Sequence, residues 1–355
     1  MRNVINHNFF KKYSNHHTFI IVFCLFLSLG MHDLYSQRKI QPLSGTIKNY
    51  DKEPLFLFKC YGDSLILVDS IRAVSEGTFR FDKFASIKNF EDVFNHDAIF
   101  KMALNNGQYF YLIFNKKQQE KEWGGEIYTV YENSLYNNIA TDSLRLINTN
   151  IDEKYNNEKF IEFQKLLSKI NVAENYLFPY LMNYPINDSF HKQIEQEYTS
   201  RYTEMSLFVN QLMKEKPEYL ITKIALAYYY PVLTDWQEET PYRDSIYALH
   251  FFDYFNPADS FFIHSNILPE KIDMYINFCV NKRDENGNFS FHNDEFLKGA
   301  IVNFLDKVEN APVPNEETFN FCLNYIVFQL EMKQLNKILF FLRDKYPLYF
   351  KSRKR

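Results

Sequence analysis

Two periods of apolar spacing divide the chain. In the first third, apolar residues alternate or run in short blocks bounded by turn-forming residues, the pattern of β-strands. SGTIK (44–48) alternates and ends in NYDKEP, and LFLFKCY (55–61) is a continuous β-prone run. The turn GDS (62–64) separates it from LILVDSIRAV (65–74), and SEG (75–77) leads into TFRF (78–81). Gly77 is where a positive φ would set that hairpin's register, and Phe79 and Phe81 fall on one face of the returning strand. AIFKMAL (98–104), QYFYLIFN (108–115) and EIYTVYE (126–132) add three more strands, punctuated by NNG (105–107) and WGG (123–125). Short strands joined by turns predict a small antiparallel β-sandwich domain over residues 38–133.

From Asn133 the spacing changes to three and four, which predicts helices. ENSLYNNIATDSLRLI, EKFIEFQKLLSKI and NDSFHKQIEQEYTSRYTEMSLFVNQLMKEK come first, with Asp188 or Ser189 as a cap. Pro217 suits the first turn of PEYLITKIALAYYY, which Pro231 closes. PYRDSIYALHFFDYF, PADSFFIHS, LPEKIDMYINFCVNKR, NDEFLKGAIVNFLDKVE and NEETFNFCLNYIVFQLEMKQLNKILFFLRDKY complete the series. Residues 134–350 therefore read as an all-α domain of helical hairpins, solenoid-like, with a basic tail at 351–355. The fold class expected is α+β in two domains. Within the helices, NFCVN (277–281) returns as NFCLN (320–324), and each is followed by a helix of related sequence, IVNFLDK (301–307) and ILFFLRDK (338–345). Either a degenerate helical repeat or chance similarity accounts for this.

The N-terminus alters the picture of location. Arg2, Lys11 and Lys12 precede the apolar run TFIIVFCLFLSLGM (18–31), and Ser36 is a small residue suited to precede a cleavage point. This predicts a signal peptide over 1–36, a mature start at Gln37 and export to the periplasm or envelope, with an uncleaved anchor as the alternative. Phe23 before Cys24 argues against lipidation. No later stretch resembles a membrane span. The chain of 355 residues carries a net charge of −4, and loss of the leader would make it more acidic, so nucleic acid is a poor partner. Aromatic residues at 18% argue for large packed cores.

Candidate chemistry is sparse. Cys60, Cys279 and Cys322 follow the leader, and an odd number permits at most one internal disulfide. Cys279 and Cys322 form the candidate pair, and the alternative is two buried thiols acting as small hydrophobes. Both stand mid-helix among aromatics, a poor setting for a reactive thiolate. DENGNFSFHNDE (284–295) puts Asp284, Asn286, Asn288, Ser290 and Glu295 at calcium-loop ligand positions. Phe289 stands where such a loop needs glycine, so a polar interhelix loop is the competing reading. His250 with Asp253 and Asp244 fits acid–base spacing but is embedded among aromatics, which suits a structural histidine. No CxxC, GxSxG, HExxH, Walker loop or GxGxxG occurs, and no metal centre or cofactor is expected.

SGTIK, Asp69–Ser70 and EGTFRF resemble a β domain of unknown function that opens exported thiol–disulfide oxidoreductases of the TlpA/ResA kind in Bacteroidota. ENSLYNN, KPEYLITKIALAYYYPV and above all HFFDYFNPADSFFIHS (250–265) are similar to the helical region that follows in those proteins. The resemblance implies an accessory region. Such proteins continue into a thioredoxin domain with a catalytic CxxC, expected just after Arg355, and no catalytic residue carries over. The expected function is a non-enzymatic exported envelope protein, a protein- or ligand-binding module. Its partner could be a separately encoded thioredoxin-like protein or another envelope protein. The alternative is a fragment or subunit of a thiol–disulfide oxidoreductase whose CxxC domain is encoded separately.

Overall fold

A computed structural model describes residues 43–47, 54–72, 78–81, 96–105, 107, 109–115, 126–129, 144–147, 151–185, 187–229, 246–280 and 294–352. The expected leader, the 133/134 boundary, Gly77 and most of the 284–295 loop lie outside them. Among the described residues there are eight strands: β1 (Leu43–Ile47), β2 (Pro54–Tyr61), β3 (Ser64–Arg72), β4 (Thr78–Phe81), β5 (Ala98–Leu104), β6 (Tyr109–Phe114), β7 (Glu126–Thr129) and β8 (Leu144–Ile147). They form two four-stranded sheets, ordered β4-β1-β7-β8 and β3-β2-β5-β6.

The second sheet is antiparallel throughout. The first is not: β1 and β7 run parallel, with Ser44 opposite Glu126. A parallel pair needs a crossover, and the chain between β1 and β7, which includes the whole second sheet, provides one. β8 is a second departure. The helical reading of ENSLYNNIATDSLRLI (132–147) gives way over 144–147 to a strand paired antiparallel with β7. Four apolar-rich residues fit either period, and the open edge of β7 decides between them.

The two sheets share one hydrophobic core. Ile47, Phe79 and Phe81 from the first meet Leu55, Leu57, Phe100, Met102, Leu112 and Phe114 from the second. Phe79 and Phe81 share a face as expected, their ring centroids 5.9 Å apart. The β2–β3 hairpin closes through a two-residue loop, Gly62–Asp63, with Gly62 at φ 57. Glycine adopts that conformation without steric cost, and first place in such a loop is where type II′ turns require it.

The helices are α1 (Ile151–Val172), α2 (Phe178–Asn183), α3 (Ser189–Glu215), α4 (Leu220–Ala227), α5 (Ile267–Val280), α6 (Asp294–Glu309), α7 (Glu316–Met332), α8 (Asn336–Lys345) and α9 (Pro347–Ser352). A π-helical turn, Ala173–Leu177, joins α1 to α2. Asp188 caps α3 by accepting from the Phe190 N–H, and Asn315 caps α7 by accepting from the Thr318 N–H. Pro217 does not enter the first turn of α4, which starts at Leu220 after a turn. HFFDYF is likewise not a continuous helix, because helical residues end at 250 and turns follow. α7 and α8 separate at Lys333–Leu335, where Gln334 takes φ 56. α6 packs on α5 and α7, and α8 packs on α7.

The second sheet is buried on its other face too. Cys60, Ile99 and Ile113 join the helical core with Phe163, Leu212, Ile221, Phe304 and Cys322. Backbone polar groups tie this seam. The Gly62 N–H donates to the Ile263 carbonyl at 2.6 Å and the Ile99 N–H to the His264 carbonyl at 2.9 Å. Buried Asn157 of α1 accepts from the Ile113 N–H and donates to the Ile113 carbonyl. Its neighbour Asn156 accepts from the Ile221 N–H. Residues 42–355 accordingly group as one unit.

Candidate functional site

The β2–β3 turn meets the start of α7 beside an open groove of about 610 Å³, lined by Tyr61, Glu316, Glu317, Asn320, Phe321 and Asn324. Each wall follows from local sequence. Asn315 ends the preceding segment as a cap, so Glu316 and Glu317 occupy the first turn of α7, where the helix dipole favours anions. Asn320 and Phe321 follow one turn later, with Asn324 four residues beyond Asn320, so all three share one flank of the helix. Tyr61 enters from the last position of β2.

The contacts are close. Tyr61 and Phe321 meet edge to face at 5.8 Å, and the Tyr61 hydroxyl donates to Glu317 Oε1 at 3.4 Å. Burial first, and then the Glu317 charge, push the Tyr61 hydroxyl pKa up. Gly62 is required here twice over: besides its positive φ, a Cβ would stand 2.2 Å from the Phe321 ring. Asn324 donates to the Asn320 carbonyl and accepts from the Tyr349 hydroxyl. Next along α7, the Tyr325 hydroxyl donates to Asp273 Oδ2 at 2.7 Å.

Behind Tyr61 lies a buried imidazole. His264 is 3% exposed, contacts the Tyr61 ring at 5.6 Å and stacks on His96 at 4.4 Å. Neither of its ring nitrogens has a hydrogen-bond partner among the described residues. Burial, reinforced by Lys59 and His96, pushes His264 down to about 3. It is therefore a neutral aromatic wedge at ordinary pH. Lys271 of α5 is another buried base, with Nζ 3.8 Å above the Tyr228 ring and 3.5 Å from Met274 Sδ. Burial pushes its amine down to about 7.

The residues singled out from sequence fare differently. Cys60, Cys279 and Cys322 are all free thiols, so the Cys279–Cys322 bond is not formed in this structure. Burial raises the Cys60 thiol to about 12 and pushes Cys322 up as well. Thiols held protonated in this way are poor nucleophiles. Asp284, Asn286, Asn288 and Ser290 lie outside the described residues. Glu295, at the start of α6, is exposed and pairs with Lys298 at 2.8 Å. Among the described residues no group of three His, Cys, Asp or Glu side chains is placed to hold a metal ion. His250 and Asp253 do meet, Nδ1 to Oδ2 at 2.7 Å, in an exposed i,i+3 hydrogen bond, while Asp244 lies outside the described residues. Among the described residues no helix is long and apolar enough to cross a membrane.

Sequence reasoning passed over the groove itself. NFCLN drew notice for its cysteine, yet Asn320, Phe321 and Asn324 on either side are the ones that line the groove. Asn315-Glu316-Glu317 was legible as a helix start, and Gly62 as a turn, but nothing local says that the two meet.

No protein-family model matches the chain, and no curated protein or solved structure shows significant similarity to it.

Proposed function

We propose that the chain is a non-enzymatic binding module of the cell envelope, exported by its N-terminal leader. In this reading the paired sheets are a small β-sandwich, and α5–α8 are stacked helical hairpins of a solenoid-like unit. The observation that carries the binding reading is the groove between Tyr61 and α7: an open, mixed aromatic and polar recess with a braced wall. The thiols support a non-redox role, since burial raises Cys60 and Cys322 above the range in which thiolates form at neutral pH. The sequence resemblance to the accessory region of TlpA/ResA-like oxidoreductases suggests a thioredoxin-like or other envelope protein as partner.

Purified full-length chain is expected to show no turnover in a dithiothreitol-driven insulin reduction assay. Turnover that disappears in Cys279→Ser would replace this proposal with the oxidoreductase-subunit alternative. Edman sequencing of the exported protein is expected to begin at Gln37.

A further inference from the structure

We infer that the groove between Tyr61 and α7 takes a cationic side chain, a lysine ammonium or arginine guanidinium, presented by a partner polypeptide. This rests on the reading of the chain as a binding module and names what that module recognises.

Charge complementarity is the first ground. Two carboxylates line the groove, Glu316 and Glu317, and among the described residues no lysine or arginine does. Among the described residues neither carboxylate has an ion-pair partner. Asp63, beside Gly62 on the facing turn, adds a third negative charge near enough to raise the Tyr325 hydroxyl after burial and Asp273 have done so. These three anions, none of which has an ion-pair partner among the described residues, favour a cation and repel phosphate-bearing ligands.

The aromatic lining is the second ground. Tyr61 and Phe321 present ring surface beside the carboxylates, the combination that binds a partly desolvated ammonium or guanidinium through cation–π attraction and a charged hydrogen bond together. The wall is set before any ligand arrives. His264 and His96 stack behind Tyr61, the Tyr61 hydroxyl engages Glu317, and the bare α-carbon of Gly62 lets Phe321 close in. A preorganised wall lowers the entropic cost of binding. Size and donor type argue against a bare metal ion. A recess of about 610 Å³ with two carboxylates, two rings and two carboxamides suits an extended side chain and its flanking backbone. Calcium takes six or more oxygen ligands, about three times the carboxylates that line the groove.

Isothermal titration calorimetry of the full-length chain with hexalysine tests the inference, with hexaglutamine, free lysinamide and Ca²⁺ as the other arms. Hexalysine is expected to bind and to weaken as NaCl rises. The double variant Glu316→Gln/Glu317→Gln is expected to lose at least tenfold in affinity, whereas Glu218→Gln, outside the groove, should change it less than twofold. Tyr61→Leu, its fold checked by circular dichroism, should lose about threefold. Equal hexalysine binding in the double variant and the wild type would overturn the inference, as would no binding by folded wild type. Tighter binding of hexaglutamine, of lysinamide alone or of Ca²⁺ would overturn it too. Those results would leave the broader binding-module reading standing, because that reading falls only to insulin turnover.

Discussion

The two NFCxN segments place nearly the same residues in helices and use them differently. In α5, Phe278 turns into an aromatic cluster, 5.3 Å from Tyr247 and 6.3 Å from Phe251. In α7, the matching Phe321 faces the sheet, edge-on to Tyr61 and close over Gly62. The cysteines diverge as well. Cys279 is half-buried near the end of α5, where Tyr275 reaches it, whereas Cys322 is fully enclosed in the middle of α7. A helix face is thus apolar or not by its own sequence, but what it meets depends on its neighbours. α7 has a β-turn beside it, and that turn converts two asparagines and a phenylalanine into a groove wall.

The comparison can be broken by truncating each ring. Phe278→Ala and Phe321→Ala are each expected to cost about 2–3 kcal/mol in urea unfolding, below the 3–5 typical of fully buried rings because both are partly exposed. Only Phe321→Ala should also weaken hexalysine binding, by about threefold, as Tyr61→Leu does. Loss of binding in both would mean that the two helices act as one surface.

A second prediction uses pH. His264 lies against the α7 groove, and Lys271 lies on α5, four residues from Tyr275. Both are bases whose folded values are depressed, to about 3 and about 7 from 6.5 and 10.5. The unfolded chain therefore binds more protons in each window, and stability falls as pH falls through it. The His264 contribution is complete above pH 6.5 and is lost progressively toward pH 3. The Lys271 contribution is complete above pH 10.5 and is lost toward pH 7. Unfolding midpoints measured from pH 3 to 10.5 should show both slopes. His264→Leu should flatten the acid slope alone, because it removes an imidazole with no partner to miss. An unchanged acid slope in that variant would remove His264 from the account.

Gly62→Ala is expected to cost about 1–2 kcal/mol from its left-handed backbone, with a further loss as the methyl group displaces Phe321. Measured in a cycle with Phe321→Ala, the two costs should not add, because removal of the ring removes the clash. Simple additivity would mean that Gly62 and Phe321 do not share a contact.

The smallest effects belong to the thiols. Cys322→Ser puts a hydroxyl in a fully apolar site and should cost about 1–2 kcal/mol by thermal unfolding, while Cys279→Ser should stay within about 0.5. Mass mapping of the non-reduced protein after alkylation should find both as free thiols. A bonded pair would reverse the cysteine half of the comparison.

Much of this architecture is legible in the order of residues. The strand pattern of β1–β6 follows from alternation and turn chemistry that act within a few residues. The Asp188 cap is read from a side chain that satisfies the nearest free amide of its own helix. The reading failed where local preference is balanced. Leu144–Ile147 is short enough to suit either period, and the ladder with β7 settles it as a strand. HFFDYFNPADSFFIHS carries helix-like spacing, yet Asn256 and Asp259 accept backbone N–H bonds from Ala258 and Phe261 and hold it in turns. That segment instead offers the Ile263 and His264 carbonyls to the sheet.

By itself, then, the sequence determined where most of the described strands and helices lie, which faces are apolar and which residues can turn, because those depend on neighbours a few positions away. The tertiary structure alone decided the parallel β1–β7 pairing, the burial of His264 and Lys271, and the meeting of Tyr61 and Gly62 with Phe321. Each joins residues far apart in the chain, brought together by closure of two cores around one shared sheet. No local preference encodes such a meeting, and the candidate binding groove is one of its products.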